Sequence, residues 1–373
     1  MPANHHVPFV ALAAQFAEER AELMPRLETV LASGMYVGGP EIEALEHELA
    51  AYCGTRYAVA VSSGTEALNF SMDVFGIGED DEVILPPNTF ISSASCIVRA
   101  RAKPVFVDVR QDELIDPAAV EAAITPRTKA IMPVHLRGSV CDMPALKAIA
   151  SRHGLLIIED AAQAIGSALG NVRTGALGDL GCFSAHPLKL LNGVGDCGFV
   201  TTNDGAVAAK LKRLRNAGLV DRDTVTDWGT VGRLDALQAA VLRVRLPRLE
   251  SVIRRRRAVA ARYLEELRIA DLDMPRARKN EFHTYNTFTV QSARRNALQR
   301  SLTAVGIETK IHYPIPLHFQ PVVQQLGYRE GMFPVTERLA KTILSLPVHQ
   351  FLSDKDVDHV VANVCSSLTV HAT

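Results

Sequence analysis

The stretch Leu180-Gly-Cys-Phe-Ser-Ala-His-Pro-Leu-Lys189 joins a short apolar run to a lysine that closely follows it. The run is typical of a buried strand that ends at Ser184, and Pro187 then predicts a turn. Lys189 is therefore expected in a loop just past a buried strand, where a lysine can lose its proton and attack a carbonyl carbon as in Schiff-base chemistry. Taken alone, Lys189 is more simply interpreted as one of the many solvated surface lysines, so the rest of the chain has to decide.

Short apolar runs alternate with helical patterns between about residues 58 and 202. Strands are predicted at 58–61, 82–85, 104–107, 130–134, 155–158 and 180–183, and helices at 14–33, 41–51, 65–75, 92–101, 118–124 and 143–153. Short apolar strands separated by helices indicate a mostly parallel sheet covered by helices on both faces. This predicts an α/β fold, and we assign its large domain to residues 1–248, including the N-terminal helix.

The pattern changes after Thr202. Long helices are predicted at 205–217 and 233–266, and the second is long enough to bridge two domains. Beyond them, short strands at 288–290 and 310–312 and helices at 293–305 and 352–368 predict a smaller α+β domain, assigned to residues 249–373.

Composition excludes several classes of protein. The formal net charge is −1, whereas a nucleic-acid footprint needs a clustered excess of Lys and Arg. The densest basic cluster, Arg254–Arg257, lies in a helical pattern and is interpreted as a solvated face or a subunit contact. The six cysteines contain no C-x-x-C pair, residues 1–6 lack a signal-peptide pattern, and no apolar run approaches the ~18 residues of a membrane span. We therefore expect a reduced, cytoplasmic protein that binds neither nucleic acid nor membrane, and no motif suggests a metal site.

Polar groups follow several of the predicted strands, where ligands bind in open parallel sheets. Ser62-Ser-Gly-Thr-Glu66 opens a helix after the strand 58–61. Its backbone amides, loosened by Gly64 and supplemented by hydroxyls such as that of Thr65, could form a phosphate cradle, or Ser63 or Thr65 could simply cap the helix. Asp160 could pair with a protonated ring nitrogen or cap the next turn, and Gln163 could bind the same ligand or the backbone. Phe90 could stack on a flat ring, although such a residue more often belongs to the core.

Together these groups offer a phosphate cradle, an aromatic ring, a carboxylate and an amine. They match the parts of one cofactor, pyridoxal 5'-phosphate (PLP), which carries a phosphate, an aromatic ring, a basic ring nitrogen and an aldehyde.

Eight motifs in order make the chain resemble the DegT/DnrJ/EryC1/StrS family of sugar aminotransferases, which have the fold type I architecture of PLP-dependent transferases. The resemblance extends from about residue 28 to residue 365. The stretches that carry it are Tyr36-Val-Gly-Gly-Pro-Glu41, Ser63-Gly-Thr-Glu-Ala-Leu68, Asp81-Glu-Val-Ile84, Ala102-Lys-Pro-Val-Phe-Val-Asp108, Glu159-Asp-Ala-Ala-Gln163, Phe183-Ser-Ala-His-Pro-Leu-Lys189, Arg233-Leu-Asp-Ala-Leu-Gln-Ala-Ala240 and His312-Tyr-Pro-Ile-Pro-Leu-His318.

The resemblance implies a role for each site residue. Lys189 would bind the cofactor covalently and then move the proton during amino transfer, while Asp160 would hold the pyridine nitrogen protonated. Gln163 would contact the ring hydroxyl, and Phe90 would stack on the ring. The phosphate would be bound by Gly64, Thr65 and Ser184. Glutamate would donate the amino group in the first of two half-reactions, and the enzyme would be a homodimer with shared active sites.

The sequence departs from the family pattern at two positions. Val231, in Gly229-Thr-Val-Gly-Arg233, replaces an asparagine that commonly reaches the phosphate in the neighbouring subunit. Arg233 is retained and could bind a substrate carboxylate in the partner's site or form a structural salt bridge. Arg137 stands where an aromatic residue is common, and an exposed arginine there could contact an anionic substrate.

The leading functional hypothesis is a PLP-dependent aminotransferase acting on a nucleotide-linked keto sugar for amino-sugar biosynthesis. The segment from His312 to His318 favours amination at C3 over C4, and His312 and Tyr313 would line the sugar pocket unless they only pack the two domains together. The alternatives are amination of a cyclitol ketone and a non-catalytic regulatory protein with the PLP fold. A dehydratase, in which histidine replaces the catalytic lysine, is disfavoured because Lys189 is present.

Overall fold

A seven-stranded sheet forms the centre of the larger part of the chain. The computed structural model describes residues 5–369, so the first four and last four residues of the two predicted domains lie outside the described part. The strands are β1 (Tyr57–Val61), β2 (Glu82–Leu85), β3 (Lys103–Phe106), β4 (Thr128–Ile131), β5 (Leu156–Asp160), β6 (Leu180–Ser184) and β7 (Gly198–Thr202). Their order is β1-β7-β6-β5-β4-β2-β3, and only β7 runs antiparallel to its neighbours.

Helices cover both faces of this sheet and continue into the C-terminal part. They are α1 (Leu12–Ser33), α2 (Pro40–Cys53), α3 (Gly64–Phe75), α4 (Ser92–Arg99), α5 (Pro117–Ala122), α6 (Met143–His153), α7 (Gly205–Leu214), α8 (Ala236–Arg245), α9 (Leu249–Glu266), α10 (Arg295–Ala304), α11 (Pro321–Gln324), α12 (Pro334–Thr342) and α13 (Asp354–Thr369). None of the helices in the described part is both long and apolar enough to cross a membrane.

Continuous apolar strands place the sheet between two helical layers. All four residues of β2 are buried: Val83 and Leu85 belong to the cluster that contains Phe70 of α3, whereas Ile84 belongs to the cluster that contains Leu146 of α6. Because successive side chains of a strand point to opposite faces, an uninterrupted apolar run is what a sheet buried on both sides requires. The predicted α/β fold is thereby confirmed.

The C-terminal part has its own core around a two-stranded antiparallel sheet, β8 (Phe288–Gln291) and β9 (Ile343–Leu346). Tyr263 of α9 and Leu298 of α10 are buried in that core. Val7 belongs to the same cluster, so the N-terminal segment packs on the C-terminal part while α1 packs on α8.

Two predicted elements differ from the structure. The helix expected over 233–266 is wrong as a single element: α8 ends at Arg245 and α9 begins at Leu249, with one 3₁₀ turn that contains Pro247 between them. Proline lacks the backbone N–H that a continuous helix needs, which accounts for the break. The strand expected at 310–312 is reduced to one bridge between Lys310 and Ser345.

The fold brings the predicted motifs to one edge of the sheet. β1, β2, β5 and β6 run in the same direction, so their carboxyl ends meet at this edge. Ser63, Phe90, Asp160 and Ser184 stand at or after the ends of these strands, so chain direction alone places them at this edge.

Candidate active site

A cavity of about 570 Å³ lies at the carboxyl edge of the sheet, where residues of the C-terminal part close over it. Nine of the ten predicted site residues line it: Gly64, Thr65, Phe90, Asp160, Gln163, Ser184, Lys189, His312 and Tyr313. The last two come from the segment after α10, so the cavity is built from both parts of the chain.

The first turn of α3 forms the base of this cavity. Ser63 caps the helix, because its hydroxyl accepts a hydrogen bond from the Glu66 backbone N–H at 3.0 Å. The hydroxyl groups of Thr65 and Ser92 lie 2.8 Å apart. The N-cap interpretation therefore holds for Ser63, while the helix N-terminus and the flanking hydroxyls form a site that suits an anion.

Gly64 allows the α3 terminus to approach β6 closely. A Cβ atom at Gly64 would lie 2.6 Å from the Cβ of Ser184, which is closer than real side chains permit. The Ser184 hydroxyl accepts a hydrogen bond from the His186 backbone N–H at 3.3 Å. The two chain segments predicted to share the phosphate are thus in direct contact, and the donors present fit that group.

Asp160 is buried at the end of β5, and both of its carboxylate oxygens are held. Oδ2 accepts a hydrogen bond from the Ser93 hydroxyl at 2.7 Å, and Oδ1 accepts one from the Ala162 backbone N–H at 3.2 Å. Thr89 lies 2.8 Å from Ser93 and extends the chain of hydroxyls. The turn-capping interpretation is correct for one oxygen, yet the residue also lines the cavity, where a fixed carboxylate suits a protonated nitrogen.

Lys189 is half-buried and extends into the cavity from the loop after β6. Burial lowers the pKa of its amine below the usual 10.5, and the negative charge of Asp160 opposes this shift. Neutral lysine is the nucleophilic and basic form, so the environment favours the chemistry predicted for this residue.

A network of buried charges holds the Lys189 loop in place. Arg245 donates hydrogen bonds to the carbonyl oxygens of Asn192 at 2.7 Å and Gly193 at 3.1 Å. Its Nε donates to Glu19 of α1 at 2.9 Å. The Asn192 amide in turn donates to the Pro187 carbonyl at 2.9 Å, so both sides of Lys189 are anchored.

Arg137 is buried, which corrects the expectation of an exposed, substrate-reading arginine. Its Nε donates to Glu113 at 3.1 Å, its guanidinium also contacts the His312 carbonyl, and its backbone N–H donates to Gln163 Oε1 at 3.0 Å. Gln163 Nε2 donates to the Tyr313 hydroxyl at 3.1 Å. Arg137 therefore links Gln163 to the 312–313 segment across the cavity.

Phe90 is 56% exposed and its ring lies 6.2 Å from that of Tyr313, so the core interpretation of Phe90 is wrong. His312 has its pKa lowered to about 4, mainly by burial and then by the positive charges of Arg137 and Lys189. Near neutral pH His312 is uncharged and offers hydrogen-bonding nitrogens to a polar ligand.

Arg233 is the one predicted site residue outside the cavity of its own chain. Its Nη1 donates to Asn216 Oδ1 at 2.8 Å, and its backbone forms a bridge with Val61. Val231 is 71% exposed. The proposed action of this segment in a partner's site stays a prediction.

The sequence interpretation missed several residues that line the same cavity, among them Arg256, Asn286, Thr287 and His349. Arg256 belongs to the run 254–257 that was interpreted as a solvated face or subunit contact. The run was visible, but successive helical residues point about 100° apart, so the sequence could not show which arginine turns inward. Asn286 and Thr287 carried no signal.

Replacing the buried amine of Lys189 should stabilise the cofactor-free protein. A lowered pKa means that the folded state resists protonation, so this lysine destabilises the fold below its folded pKa and the cost disappears as pH rises towards 10.5. We expect Lys189→Met to have a higher free energy of unfolding than the parent near neutral pH, and the gap to shrink with rising pH in urea titrations. The exposed Lys147→Met is the control; a gap independent of pH would contradict the argument.

Comparison with known proteins agrees with this geometry. The model of the DegT/DnrJ/EryC1/StrS aminotransferase family matches residues 17–365. The chain is 44% identical over 344 residues to the dTDP-3-amino-3,4,6-trideoxy-alpha-D-glucose transaminase of Streptomyces venezuelae, covering 92% of this chain and 91% of that one. It is 40% identical over 370 residues to the UDP-N-acetyl-3-dehydro-alpha-D-glucosamine 3-aminotransferase of Acidithiobacillus ferrooxidans, covering 99% and 100%.

The solved structure of S. venezuelae DesV has a TM-score of 0.96 and 42% identity to this chain, covering 98% of this chain and 99% of that one. The family expected from the motifs is therefore confirmed over nearly the whole length. The chain belongs to the DegT/DnrJ/EryC1/StrS aminotransferase family and is, as the sequence predicts, a PLP-dependent sugar aminotransferase.

Proposed function

We propose that this protein transfers the amino group of glutamate to a nucleotide-linked 3-keto sugar in the cytoplasm, for amino-sugar biosynthesis. The observation that carries the proposal is the convergence of Lys189, Asp160 and the α3 terminus in one cavity that extends to His312 and Tyr313. The names of the two relatives support C3, because both place the amino or keto group there, on a dTDP-linked sugar in one and a UDP-linked sugar in the other.

PLP fits the donors that the cavity presents. Gly64, Thr65 and Ser184 would bind its phosphate, Asp160 its ring nitrogen, and Gln163 its ring hydroxyl, with Phe90 against the ring. When bound, PLP supplies a carbonyl carbon that accepts the amino group and a ring that withdraws electrons.

The chain's own residues would supply positioning and proton transfer. Lys189, with its lowered pKa, would take the proton from the amine-bearing carbon of the donor and deliver it to the carbon that carries the aldehyde of the cofactor. Ser93 keeps Asp160 oriented, so the carboxylate is fixed before a ligand arrives. His312 and Tyr313 would bind sugar hydroxyls.

The space beside the cavity suits a substrate larger than a simple sugar. A second cavity of about 310 Å³ adjoins the first, shares Thr89, Phe90 and Tyr313 with it, and continues along Pro314 and Ile315. A nucleotide attached to the sugar would need such an extension, whereas a cyclitol would leave it unused.

We also propose that the enzyme is a homodimer in which the 228–233 segment of one chain completes the site of the other. Trp228 is fully exposed in the single chain and Val231 is largely exposed. Apolar side chains exposed together favour burial against a partner. Arg233 would enter the partner's cavity and bind a substrate carboxylate there.

Adding a side chain at Gly64 should weaken cofactor binding. Gly64→Ala forces the α3 terminus and Ser184 apart, because its Cβ would lie 2.6 Å from the Ser184 Cβ. We expect the PLP dissociation constant, measured by absorbance titration, to rise by about tenfold or more, as for the loss of hydrogen bonds to a charged group. Gly78→Ala is the control, since its nearest neighbour would lie at 3.6 Å. Equal affinities for the two variants would show that the phosphate binds elsewhere.

Glutamate should convert the PLP form to the pyridoxamine form, seen as loss of the absorbance band of the lysine-bound cofactor. Lys189→Ala should abolish this change, whereas Lys147→Ala should retain it. The pyridoxamine form should then be reoxidised by UDP- or dTDP-linked 3-keto sugars faster than by 4-keto sugars or an inosose. Turnover by Lys189→Ala would refute the catalytic role of Lys189. Faster reoxidation by an inosose would favour the cyclitol alternative. If glutamate caused no change in the parent, a non-catalytic regulatory protein would be favoured.

Dimerisation should be visible through Trp228, the only tryptophan of the chain. If a partner covers this residue, its fluorescence should be blue-shifted in the dimer and shift to the red on dilution, in step with the mass from light scattering. Val231→Asn should restore the missing amide and lower the PLP dissociation constant in the dimer. A fully active monomer with solvent-like Trp228 emission would contradict the shared site.

A further inference from the structure

Three residues that line the active-site cavity each carry a buried polar atom with no hydrogen-bond partner among the described residues. They are Nε of Arg256, Oδ1 of Asn286 and Oγ1 of Thr287. Asn286 and Thr287 are both more than nine-tenths buried. Buried polar groups in native proteins are almost always hydrogen-bonded, so three such atoms in the residues of one wall leave hydrogen-bonding capacity that a ligand or ordered water would satisfy.

The wall also carries an uncompensated positive charge. Arg256 is half-buried, its Nη1 donates to the Asn286 carbonyl at 3.0 Å, and no Asp or Glu in residues 5–369 forms an ion pair with it. Burial lowers the pKa of Arg256 to about 10, which still leaves the guanidinium charged near neutral pH. A buried cation is costly unless an anion accompanies it.

The neighbouring arginines of α9 have other partners or face solvent. Arg255 donates to the Leu352 carbonyl and to Asp354. Arg257 donates to the His283 carbonyl at 2.6 Å and lies over the Phe282 ring. Arg254 is exposed. Among the arginines of the described part, Arg256 alone lines the cavity, so it is the one guanidinium that this chain offers to an anionic ligand there.

The position of Arg256 indicates which anion it meets. Arg256 and Lys189 together line a small side cavity with Asn192, so Arg256 lies on the Lys189 side of the site. The adjoining cavity that suits a nucleotide is lined from Thr89 to Val322 and does not include Arg256. A carboxylate on the molecule that reacts at Lys189 therefore fits better than a diphosphate at the far end.

We propose that Arg256, with Asn286 and Thr287, binds a carboxylate of the amino-acid donor. The guanidinium and the Thr287 hydroxyl donate to the carboxylate oxygens, and the Asn286 carbonyl holds the guanidinium in place. The inference rests on the proposed function in taking an amino acid as the donor. It is distinct from the proposed role of Arg233, which acts from the partner chain.

The test measures binding of maleate, an unreactive dicarboxylate, to the PLP-loaded enzyme by calorimetry. Arg256→Gln should weaken maleate binding by about tenfold or more, because a charge-assisted hydrogen bond is lost. Arg256→Lys should retain part of the affinity, and Thr287→Val should lose about threefold. The affinity for UDP should stay within about twofold in all variants, and the exposed Arg254→Gln should match the parent in both titrations.

Several outcomes would overturn the proposal. Parental maleate affinity in Arg256→Gln, or failure of the parent to bind maleate, would show that no carboxylate subsite exists there. An equal loss of UDP affinity would assign the arginine to the diphosphate instead. If Arg256→Gln fails to fold, Arg256→Lys and Thr287→Val decide, since parental affinity in both excludes the subsite. If the parent transaminates normally and these variants bind maleate as the parent does, only the subsite is refuted. If the parent binds maleate through Arg256 but does not react with glutamate, only the proposed function is refuted.

Discussion

The close contact between the start of α3 and the end of β6 is the constraint on which the site depends. Gly64 lies against Ser184, and Gly198 at the start of β7 lies against the Ser63 backbone, where a Cβ would be 2.4 Å from the carbonyl carbon. β7 runs antiparallel between β1 and β6, so it holds their carboxyl ends side by side at the same edge. Two positions without a side chain thus let the helix terminus and the lysine-bearing loop face one cavity.

Buried charge pairs fix the loops that this contact brings together. Glu159 accepts hydrogen bonds from three backbone N–H groups, those of Gly175, Leu177 and Gly178, and lies 2.9 Å from His135. Burying a carboxylate costs free energy, and the cost is offset only when its hydrogen bonds are complete and well aligned. Such a network gains little net stability but defines one geometry, which is what Asp160, the next residue in the chain, requires.

The sequence predicts the sheet edge well because chain direction and apolar periodicity determine it. Lys189, Asp160 and the Ser63–Thr65 turn each follow an apolar run, and no long-range packing is needed to place them.

Arg137 and Arg256 were interpreted wrongly for a common reason: whether a long cationic side chain points inward depends on partners distant in sequence. Glu113, which pairs with Arg137, lies 24 positions away in the sequence, and Asn286, whose carbonyl accepts a hydrogen bond from Arg256, lies 30 positions away. Pro247 is visible in the sequence, but the helical pattern on both sides of it predicts one continuous helix over 233–266.

The cavity is polarised in a way that suits a reaction with two successive substrates. Lys189, Asp160 and Arg256 all line it, Arg256 and Lys189 also share a small side cavity, and Phe90 and Tyr313 also line the adjoining cavity, which does not include Arg256. In the proposed function, a donor amino acid and a nucleotide sugar would both present their reacting carbon to Lys189, so they would share the space around it and differ only in what extends from it. A cationic wall at Arg256 and an apolar, aromatic extension beyond Phe90 and Tyr313 would let one site accept two unlike molecules in turn. The donor would use the cationic wall and leave the extension to water, and the nucleotide sugar would do the reverse. If Arg256 binds the donor as proposed, its guanidinium has to lack a carboxylate partner from the chain, since such a partner would occupy the position of the donor carboxylate.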